Sequence, residues 1–177
     1  MKKFKGFVII ALIAIAGVSC KKDGDDNTPG GGAGSATVSA SLYGFDGTGG
    51  TTFKSTTAGI VKVGNVFTLT AIKDGTNESI TIILPNVTAT GKYDLLEGNA
   101  SGNGAIMSKD YTKPTDGLLN YKTDAVTTAT MRGGGEVNIT ALTATSAEGT
   151  FYIIAHNSAG KDAFVENGTF KGTVTGK

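Results

Sequence analysis

Val66-Phe67-Thr68-Leu69-Thr70-Ala71-Ile72, then Lys73-Asp74-Gly75-Thr76-Asn77, then Ser79-Ile80-Thr81-Ile82-Ile83-Leu84: two alternating runs flank a turn sequence. Phe67, Leu69 and Ala71 fall on one side of an extended chain, with Thr68 and Thr70 on the other. Ile80, Ile82 and Leu84 repeat the pattern. Period-two alternation is the mark of a half-buried strand, and an Asp-Gly between two such runs predicts a β-hairpin.

Working outward, the same period recurs. Val38, Ala40 and Leu42 share a face, as do Val137, Ile139 and Ala141, and Phe170, Gly172 and Val174. Phe151-Tyr152-Ile153-Ile154-Ala155 is apolar on both faces and predicts a strand covered on both sides or lying beside a pocket. Asn157 to Asp162 reads as a turn, and Asn167-Gly168 as a turn or bulge. Weaker strands are expected over 59–63, 92–95, 105–108, 118–123 and 125–131. No amphipathic helix pattern is found, so no parallel crossover is expected. The fold class is therefore all-β, an antiparallel sandwich or partly closed barrel of about nine to eleven strands.

The chain divides into three regimes. Residues 1–19 carry Lys2, Lys3 and Lys5 ahead of the apolar run Phe7 to Ala16, the layout of a secretory signal that is removed. From Gly6 to Val18 that run is about 13 residues, short of the ~20 that span a bilayer. Residues 20–35 hold Cys20 and a glycine- and aspartate-rich tether of roughly 20 Å mean reach. Residues 36–177 form a single β-domain. The chain has one cysteine, so no disulfide within it is available.

Gly17-Val18-Ser19-Cys20 resembles a bacterial lipobox, in which the cysteine is acylated after cleavage; Gly17 stands where the pattern usually has an aliphatic residue. Acyl chains bind a bilayer with ~0.8 kcal/mol per buried CH₂, and two or more hold stably. Lys21, Lys22, Asp23, Asp25 and Asp26 resemble the signal that exports Bacteroidota-type lipoproteins to the outer face of the outer membrane. The implied location is the outer membrane, lipid-anchored and facing the exterior, with the periplasmic face as the alternative. The pieces Gly91-Lys92-Tyr93, Gly135 to Thr140, Glu148-Gly149-Thr150-Phe151 and Asn167-Gly168-Thr169-Phe170 resemble a family of small Bacteroidota lipoproteins. That likeness implies no activity and no catalytic residues.

Charge and residue inventory narrow the function. The net charge is +1. Removing the three leader lysines leaves 13 basic against 15 acidic residues, a net of about −2. A near-neutral domain argues against nucleic acid, which demands a basic face. His156 is the single histidine, so triads and multi-histidine metal sites lack parts, and no cofactor is expected. At the end of an apolar strand it reads as a rim side chain. Tyr111 and Tyr121 flank an exposed-looking loop and form a candidate binding surface for a glycan or another protein. The expectation is a membrane-anchored, non-catalytic binding domain. The alternatives are a lipocalin-like carrier of a small apolar ligand and a small hydrolase using a carboxylate pair near Tyr111–Asp124.

Overall fold

The computed structural model describes residues 36–45, 49–125 and 131–176. Ten strands make one sheet: β1 (Ala36–Tyr43), β2 (Thr51–Val63), β3 (Val66–Ile72), β4 (Ser79–Leu84), β5 (Gly91–Asp94), β6 (Gly104–Ser108), β7 (Asn120–Lys122), β8 (Gly134–Leu142), β9 (Ser146–His156) and β10 (Asp162–Thr175). No helix occurs among the described residues. The expected strand over 125–131 falls largely on residues outside the description, as do Cys20, Lys21, Lys22, Asp23, Asp25 and Asp26.

The hairpin of β3 and β4 forms in the expected register, from Phe67 opposite Leu84 to Ile72 opposite Ser79. Lys73 N donates to Glu78 O at 2.8 Å to close the turn, and the Lys73 ammonium meets Glu78 Oε2 at 2.6 Å. The ladder then returns on itself. Pairings run β1–β2–β3–β4–β6–β7–β9–β10 and back to β1, while β8 and then β5 occupy the rest of the β9 edge. The ring is thin at β7–β9, where the pairing is Lys122 opposite His156. The architecture is thus a partly closed barrel.

Pairing is not wholly antiparallel. Val174 and Thr175 of β10 run parallel to Ile60 and Val61 of β2. No crossover helix is involved: β10 extends past the start of β1, its antiparallel neighbour, and meets the strand on the other side.

Strand β2 changes face midway. Phe53 and Ser55 point inward, then Ala58 and Ile60 do, because a bulge against β1 inserts a residue near Thr56. Asp74 Oδ1 accepts from Thr56 N at 3.0 Å, so the β3–β4 turn satisfies the bulge. In β10, Asn167 adopts φ 53° where the register shifts between Val165 and Gly168, resolving that position as a bulge inside one long strand.

The bulge sets a reciprocal packing unit. Gly168 lies opposite Phe151, and Phe170 opposite Gly149. A Cβ on Gly149 would stand 2.6 Å from Phe170 Cζ, and one on Gly168 2.7 Å from Phe151 Cδ2. Each phenyl therefore lies over the bare backbone of the other strand. Phe67 joins them at 6.0 Å from Phe170, so aromatic rings fill the barrel interior. Each buried ring contributes about 1.5–3 kcal/mol by leaving water.

Strand β9 has neighbours on both edges, but its outer face is not fully covered as expected. Tyr152 is 48% exposed.

Candidate functional site

Alternation along β9 sends Phe151, Ile153 and Ala155 inward. By the same period, Tyr152, Ile154 and His156 face outward. His156 nonetheless is 1% exposed, because two loops close over the end of β9. Asn157 organises both. Its Oδ1 accepts from Ala159 N at 3.0 Å and Lys161 N at 2.9 Å, shaping the turn into β10. Its Nδ2 donates to Leu118 O at 3.0 Å, and Ser158 N donates to Gly117 O at 2.9 Å, tying that turn to the 109–119 loop. A Cβ on Gly117 would come within 2.8 Å of Ser158 Oγ, so a side chain there would push the Ser158 hydroxyl aside.

Between these loops and β7 lies a cleft of about 620 Å³ lined by Asn120, Lys122, Asp124, His156, Asn157 and Ser158. His156 Nδ1 lies 2.8 Å from Asp162 Oδ1, its partner across the β9–β10 hairpin. His156 Nε2 is buried and has no hydrogen-bond partner among the described residues. An unpaired buried polar nitrogen costs about 1–3 kcal/mol, and no accessible surface of this ring opens to the cleft. A second groove crosses the outer faces of β1, β2, β9 and β10, but its Thr37, Ser39, Thr150 and Thr169 belong to an open sheet face and include no buried titratable group.

The expected tyrosine surface does not assemble. Tyr121 is 1% exposed, its ring 5.3 Å from that of Phe45, with the Lys109 ammonium 5.9 Å above it. It faces inward because β7 pairs Tyr121 with the buried Met107. Tyr111 is 43% exposed, and its backbone N donates to Asn77 O at 3.0 Å, beside the β3–β4 turn. His156, read as a rim side chain, is instead buried at the end of β9, under the loops that edge the cleft. The predicted turn ran from Asn157 to Asp162, one residue too long: Asp162 already belongs to β10, and the hairpin places it opposite His156.

Of the carboxylates near Tyr111–Asp124, only Asp124 lines the cleft. Asp116 Oδ1 accepts from Leu118 N at 2.9 Å. Asp110 Oδ1 accepts from Thr112 Oγ1 at 2.6 Å and Thr112 N at 3.1 Å. The Thr112 hydroxyl, helped by its N–H and by Lys113, holds the Asp110 carboxyl below its usual range against a smaller opposing desolvation. This contribution to stability is present above the ordinary carboxylate pKa of about 3.9 and is lost as pH falls through Asp110's lower value. Thr112→Val is therefore expected to move the Asp110 titration up in an NMR carboxyl titration. An unchanged midpoint would assign the shift elsewhere. Among the described residues, no three His, Cys, Asp or Glu side chains converge to hold a metal ion.

The family described as a domain of unknown function, DUF6252, matches residues 46–173. No curated protein and no solved structure matches the chain.

Proposed function

The chain belongs to the DUF6252 family of domains of unknown function, and within it we propose an outer-membrane lipoprotein of the Bacteroidota type whose β-domain binds a glycan without transforming it. Cys20 carries the acyl anchor. Lys21, Lys22, Asp23, Asp25 and Asp26 direct the domain to the outer face, and the tether holds it clear of the headgroups. The observation that carries the binding reading is the polar cleft of about 620 Å³ lined by Asn120, Lys122, Asp124 and Ser158. Sites of this kind combine a concave shape with a few convergent polar groups.

Three observations favour binding over the alternatives. His156 Nε2 makes no hydrogen bond to Ser158, so the cleft has no histidine-activated hydroxyl. Asp110 and Asp116 accept hydrogen bonds within their own loop, and of the carboxylates near Tyr111–Asp124 only Asp124 lines the cleft, where two-carboxylate hydrolysis takes a pair. Phe53, Phe67, Phe151 and Phe170 occupy the interior that a carrier of an apolar ligand would leave open.

A glycan array probed with the chain from Ser35 onward tests the reading, since that segment contains every residue of the hydrophobic core. Retention of a defined saccharide is the expected result. An array without retained saccharides, alongside capture of a surface protein in a pulldown, would transfer the binding role to protein partners.

A further inference from the structure

We infer that the cleft continues across the sheet as an aromatic groove, so that the ligand is a saccharide chain bound along its length, its sugar rings stacked on Phe164, Tyr43 and Tyr152. This rests on the glycan-binding reading above and names further binding residues and the form of the ligand.

The register brings these side chains together. Ala163 and Val165 point into the barrel, so the strand period turns Asp162, Phe164 and Glu166 outward. Phe164 pairs with Ile154 of β9 on one side and with Tyr43 of β1 on the other. Gly134 of β8 stands opposite Ile154, and Leu96 lies over it: a Cβ on Gly134 would come 3.3 Å from Leu96 Cδ2. Leu96, Ile154, Phe164 and Tyr43 thus make one apolar row over four strands, roughly 14 Å long at a strand spacing of about 4.8 Å. Tyr152, 48% exposed, stands two residues from Ile154 on the same face of β9. Tyr43 is held against bare backbone, since a Cβ on Gly50 would come 2.5 Å from its Cε1.

The row is concave at its Tyr43 end. Tyr43, Phe164, Lys161, Asp162 and Glu166 line a groove of about 620 Å³. Gly160 lines both this groove and the cleft, so the two meet at the β9–β10 turn. The chemistry of the groove selects its occupant. A pyranose has apolar C–H faces and a rim of hydroxyls that donate and accept. The rings cover the first and lose water in doing so. Glu166 and Lys161, which make no ion pair among the described residues, meet the second as acceptor and donor. A wholly apolar partner would bury those two charges without a match, and a polyanion would face the carboxylates of Asp162 and Glu166. Aromatic walls with a few convergent polar groups are the usual make-up of a small-molecule site.

The experiment titrates the full chain with cellobiose and cellohexaose, xylobiose and xylohexaose, and mannobiose and mannohexaose, read by proton NMR. One hexasaccharide is expected to bind about tenfold or more tightly than its disaccharide, because only the longer chain reaches from the cleft onto the row. Its C–H protons are expected to move upfield on binding, the ring-current signature of stacking. Phe164→Leu and Tyr152→Leu keep an apolar side chain on the sheet and remove the ring. Each is expected to weaken the hexasaccharide about three- to tenfold and to reduce the upfield shift. Tyr152→Phe restores the ring and is expected to restore both.

Equal affinity for disaccharide and hexasaccharide overturns the proposal, as does a hexasaccharide whose affinity and proton shifts are the same in both leucine variants as in the unaltered chain. In either case weaker binding by Asp124→Ala would leave the cleft reading standing. A free chain that sediments as a dimer, dissociated by Tyr152→Leu, assigns the row to a second copy and also overturns it. No binding of any of the six saccharides removes the glycan reading and this inference together.

Discussion

Phe170→Ala is expected to lower the free energy of unfolding by about 3–5 kcal/mol, read from the midpoint of a denaturant titration. The size follows from what surrounds the ring. Phe170 is 2% exposed, 6.0 Å from the Phe67 ring and 6.5 Å from Phe151. Opposite it stands Gly149, which has no side chain to settle into the vacated space. The cavity is therefore walled by stiff rings and backbone, the setting in which truncation costs most. Against a typical total of about 5–15 kcal/mol, one such change removes a large share. The reverse substitution supports the same geometry. A side chain on Gly149 would bring Cβ within 2.3 Å of the Asn138 carbonyl, a backbone clash that trimming Phe170 does not relieve. A loss below about 1 kcal/mol for Phe170→Ala would mean that the ring is not part of the fold's central packing.

Cys20→Ser is expected to abolish palmitate labelling and move the protein from the membrane fraction to the soluble one. The motive is the single cysteine placed directly after an apolar run and two small residues. A serine cannot form the thioether, and the described domain offers no obvious substitute anchor. A loss this complete follows from the loss of two or more acyl chains at ~0.8 kcal/mol per buried CH₂. Labelling that persists in the variant would remove the lipobox reading. The export signal is tested in the same cells. With Asp23, Asp25 and Asp26 replaced by Ala, the domain should become inaccessible to external protease, and unchanged cleavage would show that the acidic cluster does not direct surface display.

The all-β class and the 66–84 hairpin were legible because a two-residue period and an Asp-Gly turn are local signals. Strand β2 was not, beyond its last residues. Its inward set passes from Phe53 and Ser55 to Ala58 and Ile60 across a bulge, so no single alternation runs its length. The hairpin from Val63 to Val66 turns on Gly64 at φ 57°, a signal that the weak β2 pattern hid. The repeated glycine-threonine-phenylalanine pieces were visible as a likeness, but their reason is long-range. Only the β9–β10 register shows that each phenylalanine covers the other strand's glycine. Tyr121 was misplaced for a related cause: the short β7 takes its facing from β6, and the residues around it have no periodicity of their own. The cleft lay in between. Asn157 and Asp162 stand in the predicted turn and His156 ends the strand before it, yet the contribution of Asn120, Lys122 and Asp124 depends on the single β7–β9 pairing.

The most direct measurement is an isothermal titration of the chain from Ser35 onward with the saccharide retained on the array, for the unaltered chain and for Asp124→Ala. Asp124 is an exposed wall of the cleft, so its removal leaves the core intact. The expected result is saturable binding that weakens about tenfold or more in Asp124→Ala, the loss of one charge-assisted hydrogen bond. Equal affinity in the two chains would contradict the assignment of the cleft as the binding site.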